Sequence, residues 1–210
     1  MSDVSDDAPR PVLHWYDFVC PFCYIGQSRT AVLLEAGLDV IALPFQSHPD
    51  IPAGGLLVGP RRGPRYKMIE REAAAAGLPL QWPPRIANSG KALAAAEWVR
   101  RHQPDAFASL QHKLFEAYFA VGEDIDNQAV IDRHATTAGA DLVALHTALA
   151  DGSAHAGVEQ AEMAGQQLGV YGTPAWLFNG RLVAGLLPAP EFQCVVRDAV
   201  GQRARSVRAK

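Results

Sequence analysis

The 210-residue sequence contains few cysteines, three in all, and its seven histidines are scattered along the chain. A disulfide-stapled scaffold is therefore excluded, and a chain of this length can bury a sufficient core without such cross-links. A structural zinc site is also disfavoured, because zinc takes four ligands that usually come as close pairs. The third cysteine, Cys194, stands alone, and no two histidines lie three to five residues apart.

The sequence also lacks long apolar runs and a strong net charge. No stretch reaches the roughly 18 apolar residues that a membrane span needs, and the acidic start lacks the cationic and then apolar order of a secretory signal. The formal net charge of −3 argues against a nucleic-acid surface, and the basic clusters at 61–65 and 202–210 are interpreted as solvated. We therefore expect a cytoplasmic protein with neither a membrane nor a nucleic acid as its partner.

The two ends of the chain do contain alternating strand and helix signals. Val12–Val19 is a bounded apolar run typical of a buried strand, a helix that stops at Gly37 follows it, and the stretch LDVIALPFQ predicts a second strand. The apolar face of that first helix is assigned to Ile25, Ala31, Val32 and Leu34. Towards the C terminus, a helix over 153–168 precedes two short apolar runs around Asn179-Gly180, a strong hairpin signal, and a last helix starts behind Pro190.

Only helical patterns are evident between these ends. Pro104 marks one helix start, Asp126 or Asn127 can cap another helix, and no strand-like run appears between residues 50 and 170. The five helical segments are 64–76, 89–102, 104–120, 127–138 and 141–150. This order predicts an α/β protein: a thioredoxin fold with a large all-helical insertion between its βαβ and αββα halves. The predicted division is 12–62 and 153–202 for the thioredoxin-like domain, 63–152 for the insertion, and 1–11 and 203–210 for flexible termini.

The stretch DFVCPFCYIG places Cys20 and Cys23 where the first strand gives way to a helix. The pair could be half of a metal site, two buried core thiols or a redox pair. The redox interpretation is favoured because the first turn of a helix stabilises a thiolate through its unpaired N–H groups and its dipole. Pro21 suits that turn, since it has no N–H to lose. Cys20 would then be the exposed attacking thiol and Cys23 the buried resolving thiol.

The sequence resembles the DsbA-like thioredoxin-fold oxidoreductases, specifically the cytoplasmic FrnE-like branch. The resemblance covers nearly the whole chain and is carried by YDFVCPFCYIG, LPFQSHPDIPAGG, IANSGKALAAAEW and LGVYGTPAWLFNGRLVAGLLP. It implies dithiol–disulfide exchange with Cys20 as nucleophile and Cys23 as resolving thiol, and it implies no cofactor beyond this redox-active pair. It also implies that the Thr173–Pro174 bond is cis, lies against the pair, and offers its backbone to a substrate thiol or peptide.

Two features depart from the family pattern. Phe22 cannot donate a hydrogen bond to the Cys20 thiolate, so we expect a less oxidising couple than a Pro-His dipeptide gives, and the segment Gly185–Pro188 is less polar than the family's. The same superfamily includes glutathione-dependent isomerases of 2-hydroxychromene-2-carboxylate and kappa-class glutathione transferases, which typically carry serine where Cys20 stands. An enzyme of that type is the alternative hypothesis, and a non-catalytic binding protein is the third.

Several further residues are assigned to the site. The candidate substrate-binding set is Pro21, Phe22, His48, Asn88, Ser89, Thr173 and Pro174. His48 follows the second strand on the expected active-site side, whereas Asn88 and Ser89 either line the site or cap the next helix. Trp15, Tyr16, Trp176 and Cys194 are expected to pack in the core. The expected partner is a thiol or disulfide substrate protein or peptide, with glutathione as a candidate co-substrate and a homodimer as a candidate assembly.

Overall fold

The structure, a computed structural model, describes residues 10–208, and the side chains as far as residue 202. Of the predicted flexible termini, 1–11 and 203–210, residues 1–9 and 209–210 lie outside this described part, and the backbone of 203–208 belongs to the last helix. The strands are β1 (Val12–Tyr16), β2 (Val40–Pro44), β3 (Leu56–Leu57), β4 (Arg85–Ile86), β5 (Ala175–Phe178) and β6 (Arg181–Ala184). The α-helices are α1 (Pro21–Glu35), α2 (Pro64–Ala75), α3 (Gly90–His102), α4 (Pro104–Glu116), α5 (Gln128–Ala138), α6 (Leu142–Ala150), α7 (Ser153–Gln167) and α8 (Ala189–Arg208), and a π-helical turn, Ala117–Val121, continues α4.

A mixed sheet of four strands, in the order β2-β1-β5-β6, forms the centre of the fold. β2 runs parallel to β1, and α1 makes the crossover between them, while β5 and β6 pair antiparallel. The hairpin between β5 and β6 turns at Asn179 and Gly180, whose φ angles of 47° and 86° are the positive values that this tight turn requires. The predicted α/β thioredoxin fold is confirmed, and helices α3–α7 form the large insertion between its halves.

Opposite faces of the sheet are covered by different helices. On one face, Trp176 and Phe178 of β5 pack with Leu33 of α1 and Phe192 of α8. On the other face Trp15 is fully buried, and its indole N–H donates to the carbonyl oxygen of Ala161 in α7 at 3.1 Å. The expected burial of Trp15, Tyr16 and Trp176 is confirmed. Successive side chains of a strand point to opposite faces of the sheet, and both faces are covered here, so even the neighbours Trp15 and Tyr16 are buried.

The helical insertion and the sheet share one apolar core. Tyr16 and Phe18, at and beyond the end of β1, contact Phe115 of α4 with ring centroids 5.9 and 4.9 Å away. Tyr24 of α1 stacks on Phe119 at 4.9 Å. Because the cysteine-bearing helix packs directly on α4 and its π-helical turn, the insertion forms part of the support for Cys23.

Three expectations from the sequence are wrong. β3 and β4 form a two-stranded antiparallel ribbon inside the region expected to lack strands. Leu34 is 58% exposed, because α1 buries the stripe of Ile25, Arg29 and Leu33 instead. Cys194 is exposed rather than buried, since α8 turns Phe192, Val195, Val196 and Ala199 inward, and the Arg197 guanidinium donates to the Cys194 sulfur at 2.9 Å.

Three helix ends lie where the sequence predicts them. α4 begins at Pro104, α1 is closed by Gly37 with a φ of 73°, and the Asn127 side chain caps α5 by accepting from the N–H of Ala129 at 3.0 Å. None of the helices within residues 10–208 combines the length and apolar character that a membrane crossing requires.

Candidate active site

Cys20 is the N-cap residue of α1, immediately after the turn that leaves β1. Its φ and ψ of −86° and 113° are extended, and its carbonyl oxygen accepts from the N–H groups of Cys23 at 3.0 Å and Tyr24 at 3.1 Å. Pro21 occupies the first helical turn, where no N–H is required. Both thiols are free; Cys20 is partly exposed, whereas Cys23 is completely buried. The geometry therefore presents one sulfur to a substrate and holds the other behind it.

The two thiols have opposite pKa shifts. The hydrogen bond from the Cys23 thiol is the largest cause that lowers the pKa of Cys20 below its ordinary value, and hydrogen bonds from Thr173 and from the Cys23 backbone act in the same direction against burial. Burial raises the pKa of Cys23 well above its ordinary value, and the hydrogen bond to Cys20 adds to this. The thiolate is the nucleophilic form of cysteine, so the pair is differentiated into a reactive sulfur and a protonated reserve.

The register of β5 against β1 brings the segment before β5 to the cysteines. Ala175 pairs with Trp15, so the preceding Thr173–Pro174 peptide lies beside the end of β1 that leads to Cys20. This peptide bond is cis. The Cys20 thiol donates to the Thr173 carbonyl oxygen at 3.4 Å, and the Pro174 carbonyl oxygen accepts from the N–H of Gly185 at 2.8 Å. The segment is thereby fixed on both sides and leaves backbone polar groups next to the exposed sulfur.

A buried carboxyl group, Asp17, organises the polar surroundings of the pair. Its two oxygens accept from the N–H groups of Val19 at 3.2 Å and Ser47 at 2.8 Å, and the Ser89 side chain also hydrogen-bonds to it. Burial raises the pKa of Asp17 despite these bonds. The hydroxyl groups of Ser47 and Thr173 are 2.8 Å apart, so a continuous chain of polar contacts runs from the buried acid to the loop that contacts Cys20.

The other predicted substrate-binding residues are distributed around this centre. Phe22 is partly exposed, and its ring lies 5.6 Å from the guanidinium carbon of Arg65. His48 is exposed and lines a cavity beside the pair. The Asn88 side-chain oxygen accepts from the N–H of Gly90, the first residue of α3, at 2.9 Å and from the Gln46 amide at 3.0 Å, while Ser89 is the N-cap residue of that helix. Ser89 is buried and hydrogen-bonds to Asp17, so its contact with the cysteine pair runs through this carboxyl group.

Three polar residues of the site were not identified from the sequence. Asp17 and Ser47 adjoin the cysteine stretch and His48, but their contact depends on how β1 and β2 end side by side. Arg61 belongs to a basic cluster interpreted as solvated, yet it lines the same cavity as His48. The only signal in the sequence was that Asp17 and Ser47 lie next to two segments already assigned to the site. Asp17 is buried, and a carboxyl group is rarely buried without polar partners.

A CxxC pair at the start of α1, facing the peptide that leads into β5 of a mixed sheet, defines the class of thioredoxin-fold proteins with a dithiol site. The DSBA-like thioredoxin domain matches residues 11–196, and the chain belongs to this family. The family is one of oxidoreductase enzymes, and Cys20–Cys23 is the CxxC pair of this member. No curated protein matches the sequence.

Solved structures with the same fold match almost the entire chain. A probable DsbA oxidoreductase from Streptomyces coelicolor is 22% identical, with 91% of this chain and 90% of that chain covered and a TM-score of 0.74. A 2-hydroxychromene-2-carboxylate isomerase is 20% identical over 95% and 98% of the two chains, with a TM-score of 0.72. The cytosolic disulfide reductase DsbM from Pseudomonas aeruginosa, solved with GSH, is 18% identical over 95% and 100%, with a TM-score of 0.65. At these identities the matches establish the fold.

Proposed function

We propose that this protein is a thiol–disulfide oxidoreductase of the FrnE-like branch that uses the Cys-Pro-Phe-Cys dithiol, with Cys20 as nucleophile and the cis Thr173–Pro174 peptide as the substrate-facing element. The observation that carries this proposal is the placement of the two sulfurs: a partly exposed thiol caps α1 and contacts the Thr173 carbonyl oxygen at 3.4 Å, while the second thiol lies fully buried one helical turn further on. That arrangement supplies a nucleophile and a resolving group in one helical turn.

The reaction proceeds in two balanced exchanges. The Cys20 thiolate attacks one sulfur of a substrate disulfide, a Cys20–substrate disulfide forms, and the other half of the substrate leaves as a thiolate. The Cys23 thiol then loses its proton and attacks the Cys20 sulfur, and the second substrate thiolate leaves. Two electrons pass from the dithiol to the substrate, and the leaving thiolates take up the protons according to their own pKa values. A thiol pool such as glutathione can reduce the resulting Cys20–Cys23 disulfide by the reverse exchanges.

Dithiothreitol-driven reduction of insulin tests the assignment. We expect Cys20→Ser to abolish catalysis, because a hydroxyl group cannot form the mixed disulfide, and Cys23→Ser to accumulate that mixed disulfide, visible as an added mass. Cys194→Ser is the matched control, since this exposed thiol on α8 takes no part in the exchange and its loss should leave turnover unchanged. Turnover by Cys20→Ser equal to that of the parent protein would refute the role of Cys20.

The proposed compartment is the cytoplasm, where glutathione is available as a reductant. The isomerase or transferase alternative does not require two cysteines, because in such enzymes glutathione itself supplies the reacting sulfur. Retention of both cysteines favours exchange. Turnover of 2-hydroxychromene-2-carboxylate with glutathione that survives Cys23→Ser would reverse this preference.

A further inference from the structure

A cavity of about 200 Å³ opens beside the cysteine pair. Val19 and Pro21, the residues on either side of Cys20 in the chain, both form part of its wall. The wall also contains the basic side chains of His48, Arg61 and Arg65 and several aromatic rings, and it includes no Asp or Glu. Among the residues that the structure describes, the charged side chains lining the cavity are therefore basic, and the space beside Cys20 favours an anion.

Arg61 is placed in this wall without an anionic partner. Its guanidinium carbon lies 6.0 Å from the ring centre of Tyr66 and 5.7 Å from that of Trp82. Its Nε is buried and has no hydrogen-bond acceptor. The nearby carboxylate of Glu70 accepts from the Trp82 indole at 2.8 Å instead, and no ion pair of Arg61 occurs in the part of the chain that the structure describes.

An arginine held in this way is suited to bind a carboxylate. Aromatic rings attract the guanidinium as a cation but do not take up its N–H donors as a carboxylate does, so the planar fork keeps its capacity for a bidentate contact. A buried charged donor without a protein acceptor is also costly, so a carboxylate that accepts from Arg61 would lower that cost. The second cation, Arg65, lies 5.6 Å from the ring of Phe22, and it extends the positive surface to the dipeptide between the cysteines.

The size of the cavity restricts what the carboxylate can belong to. Sites for drug-sized ligands typically enclose about 300–1,000 Å³, so this cavity of about 200 Å³ has room for one short arm of a substrate rather than for a whole drug-sized ligand. We propose that Arg61 binds a carboxylate of low-molecular-weight disulfides and thereby makes the protein select anionic substrates. The inference rests on the proposed exchange at Cys20, and Arg61 acts in it as a specificity-determining residue while the sulfur chemistry is unchanged.

Three small disulfides of equal chain length test this selection. Dithiodipropionate is dianionic, hydroxyethyl disulfide is neutral and cystamine is dicationic, and each has two methylene groups between sulfur and head group. The second-order rate at which each oxidises the reduced Cys194→Ser protein is followed by alkylation and mass spectrometry. For Arg61→Gln we expect the anionic-to-neutral rate ratio to fall about tenfold, the scale of one lost hydrogen bond to a charged group.

The control is Arg62→Gln, which removes the same charge from a neighbouring exposed residue outside the cavity wall and should keep the parent ratio. Arg61→Lys, which retains charge without the planar fork, should give an intermediate ratio. An unchanged ratio in Arg61→Gln overturns the inference while leaving the exchange reaction standing. Failure of all three disulfides to oxidise the parent protein would instead remove the proposed function, and the substrate preference with it.

A binding measurement separates the anion site from the redox chemistry. Thiodipropionate has the same carboxylates on a thioether that cannot undergo exchange. Calorimetric titration into the Cys20→Ser, Cys23→Ser protein should show binding that Arg61→Gln weakens about tenfold and Arg62→Gln leaves intact, again the scale of one charged hydrogen bond. Equal affinity in the two arginine variants would show that Arg61 does not hold the carboxylate.

Discussion

At the scale of single residues, the reactivity of Cys20 depends on which neighbours favour its thiolate. The thiol of Cys23 is the largest contributor, and Thr173 adds to it, whereas the negative charge of Asp17 acts in the opposite direction. The site thus combines donors close to the sulfur with a buried acid whose own pKa is raised. A hydrogen bond to the charged form of an acid favours ionisation, and desolvation disfavours it.

Replacing the donor at position 23 tests this account. We expect Cys23→Ala to raise the pKa of Cys20, because the thiolate loses its strongest hydrogen bond, and Cys23→Ser to preserve much of the lowered value through its hydroxyl group. The measurement is the rate of iodoacetamide alkylation of Cys20 against pH, in a Cys194→Ser background so that one thiol remains. Identical profiles for the alanine and serine variants would show that this hydrogen bond does not set the pKa.

The sequence predicted the parts of the site that sit within one short motif. The spacing of Cys20 and Cys23 and the Thr173-Pro174 dipeptide are local patterns, and the structure brings them together. Asp17 and Arg61 were not identified because their roles arise from tertiary contacts: one is enclosed by Val19, Ser47 and Ser89, and the other by rings from separate segments.

At the scale of secondary-structure elements, close packing positions α7 against β1. A Cβ atom at Gly165 would lie 2.7 Å from Nε1 of Trp15, and that indole already donates to the Ala161 carbonyl oxygen at 3.1 Å. Trp15 is fully buried in a close-packed interior, so its indole can move only by displacing its neighbours. The missing side chain at residue 165 is therefore what allows the helix to approach the sheet.

Gly165→Ala is expected to destabilise the fold. Alanine favours a helix over glycine by about 1 kcal/mol, but displacing the buried indole and its hydrogen bond costs about 1–3 kcal/mol, so the balance is unfavourable. Urea denaturation should show a lower midpoint for this variant, and Gln166→Ala, on the exposed side of the same helix, should change the free energy of unfolding by less than about 0.5 kcal/mol. An unchanged midpoint for Gly165→Ala would mean that the indole shifts freely.

The errors made from the sequence also belong to this scale. The two-residue strands β3 and β4 are too short to show any alternation of apolar residues. In α1 the buried stripe includes Arg29, whose guanidinium donates to the Leu187 carbonyl oxygen and pairs with Glu72 at 3.3 Å. Because Arg29 is charged, the sequence pattern does not mark it as part of the buried face. The apolar stripe drawn without it passes through Leu34 instead of its buried neighbour Leu33.

At the scale of the whole molecule, one packed core extends from the cysteine-bearing helix into the insertion. Cys23 and Tyr24 belong to the same buried cluster as Leu110, Leu114 and Phe115 of α4. We therefore expect the predicted division into a thioredoxin-like domain and an insertion to describe the topology of the chain, while both parts unfold together in a single transition.

The stability of the reduced protein should depend on pH through Cys20. Its folded pKa lies below its ordinary value of about 8.5, so between the two values the unfolded state binds more protons and stability rises with pH. We expect the difference in free energy of unfolding between the reduced protein and reduced Cys20→Ser to grow in favour of the former across this window. Urea titrations at several pH values measure it, and a difference that shrinks as pH rises would contradict the assigned direction.

The pairing of Ala175 with Trp15 has a consequence for chains that fold with the wrong strand register. A slip of one residue between β1 and β5 would turn Trp176 to the opposite side of the sheet and carry the Thr173 carbonyl oxygen away from the Cys20 sulfur. The same strand alignment buries the Trp176 indole and places the Thr173 carbonyl oxygen beside Cys20. Molecules with the wrong register would therefore be inactive in disulfide exchange as well as unstable.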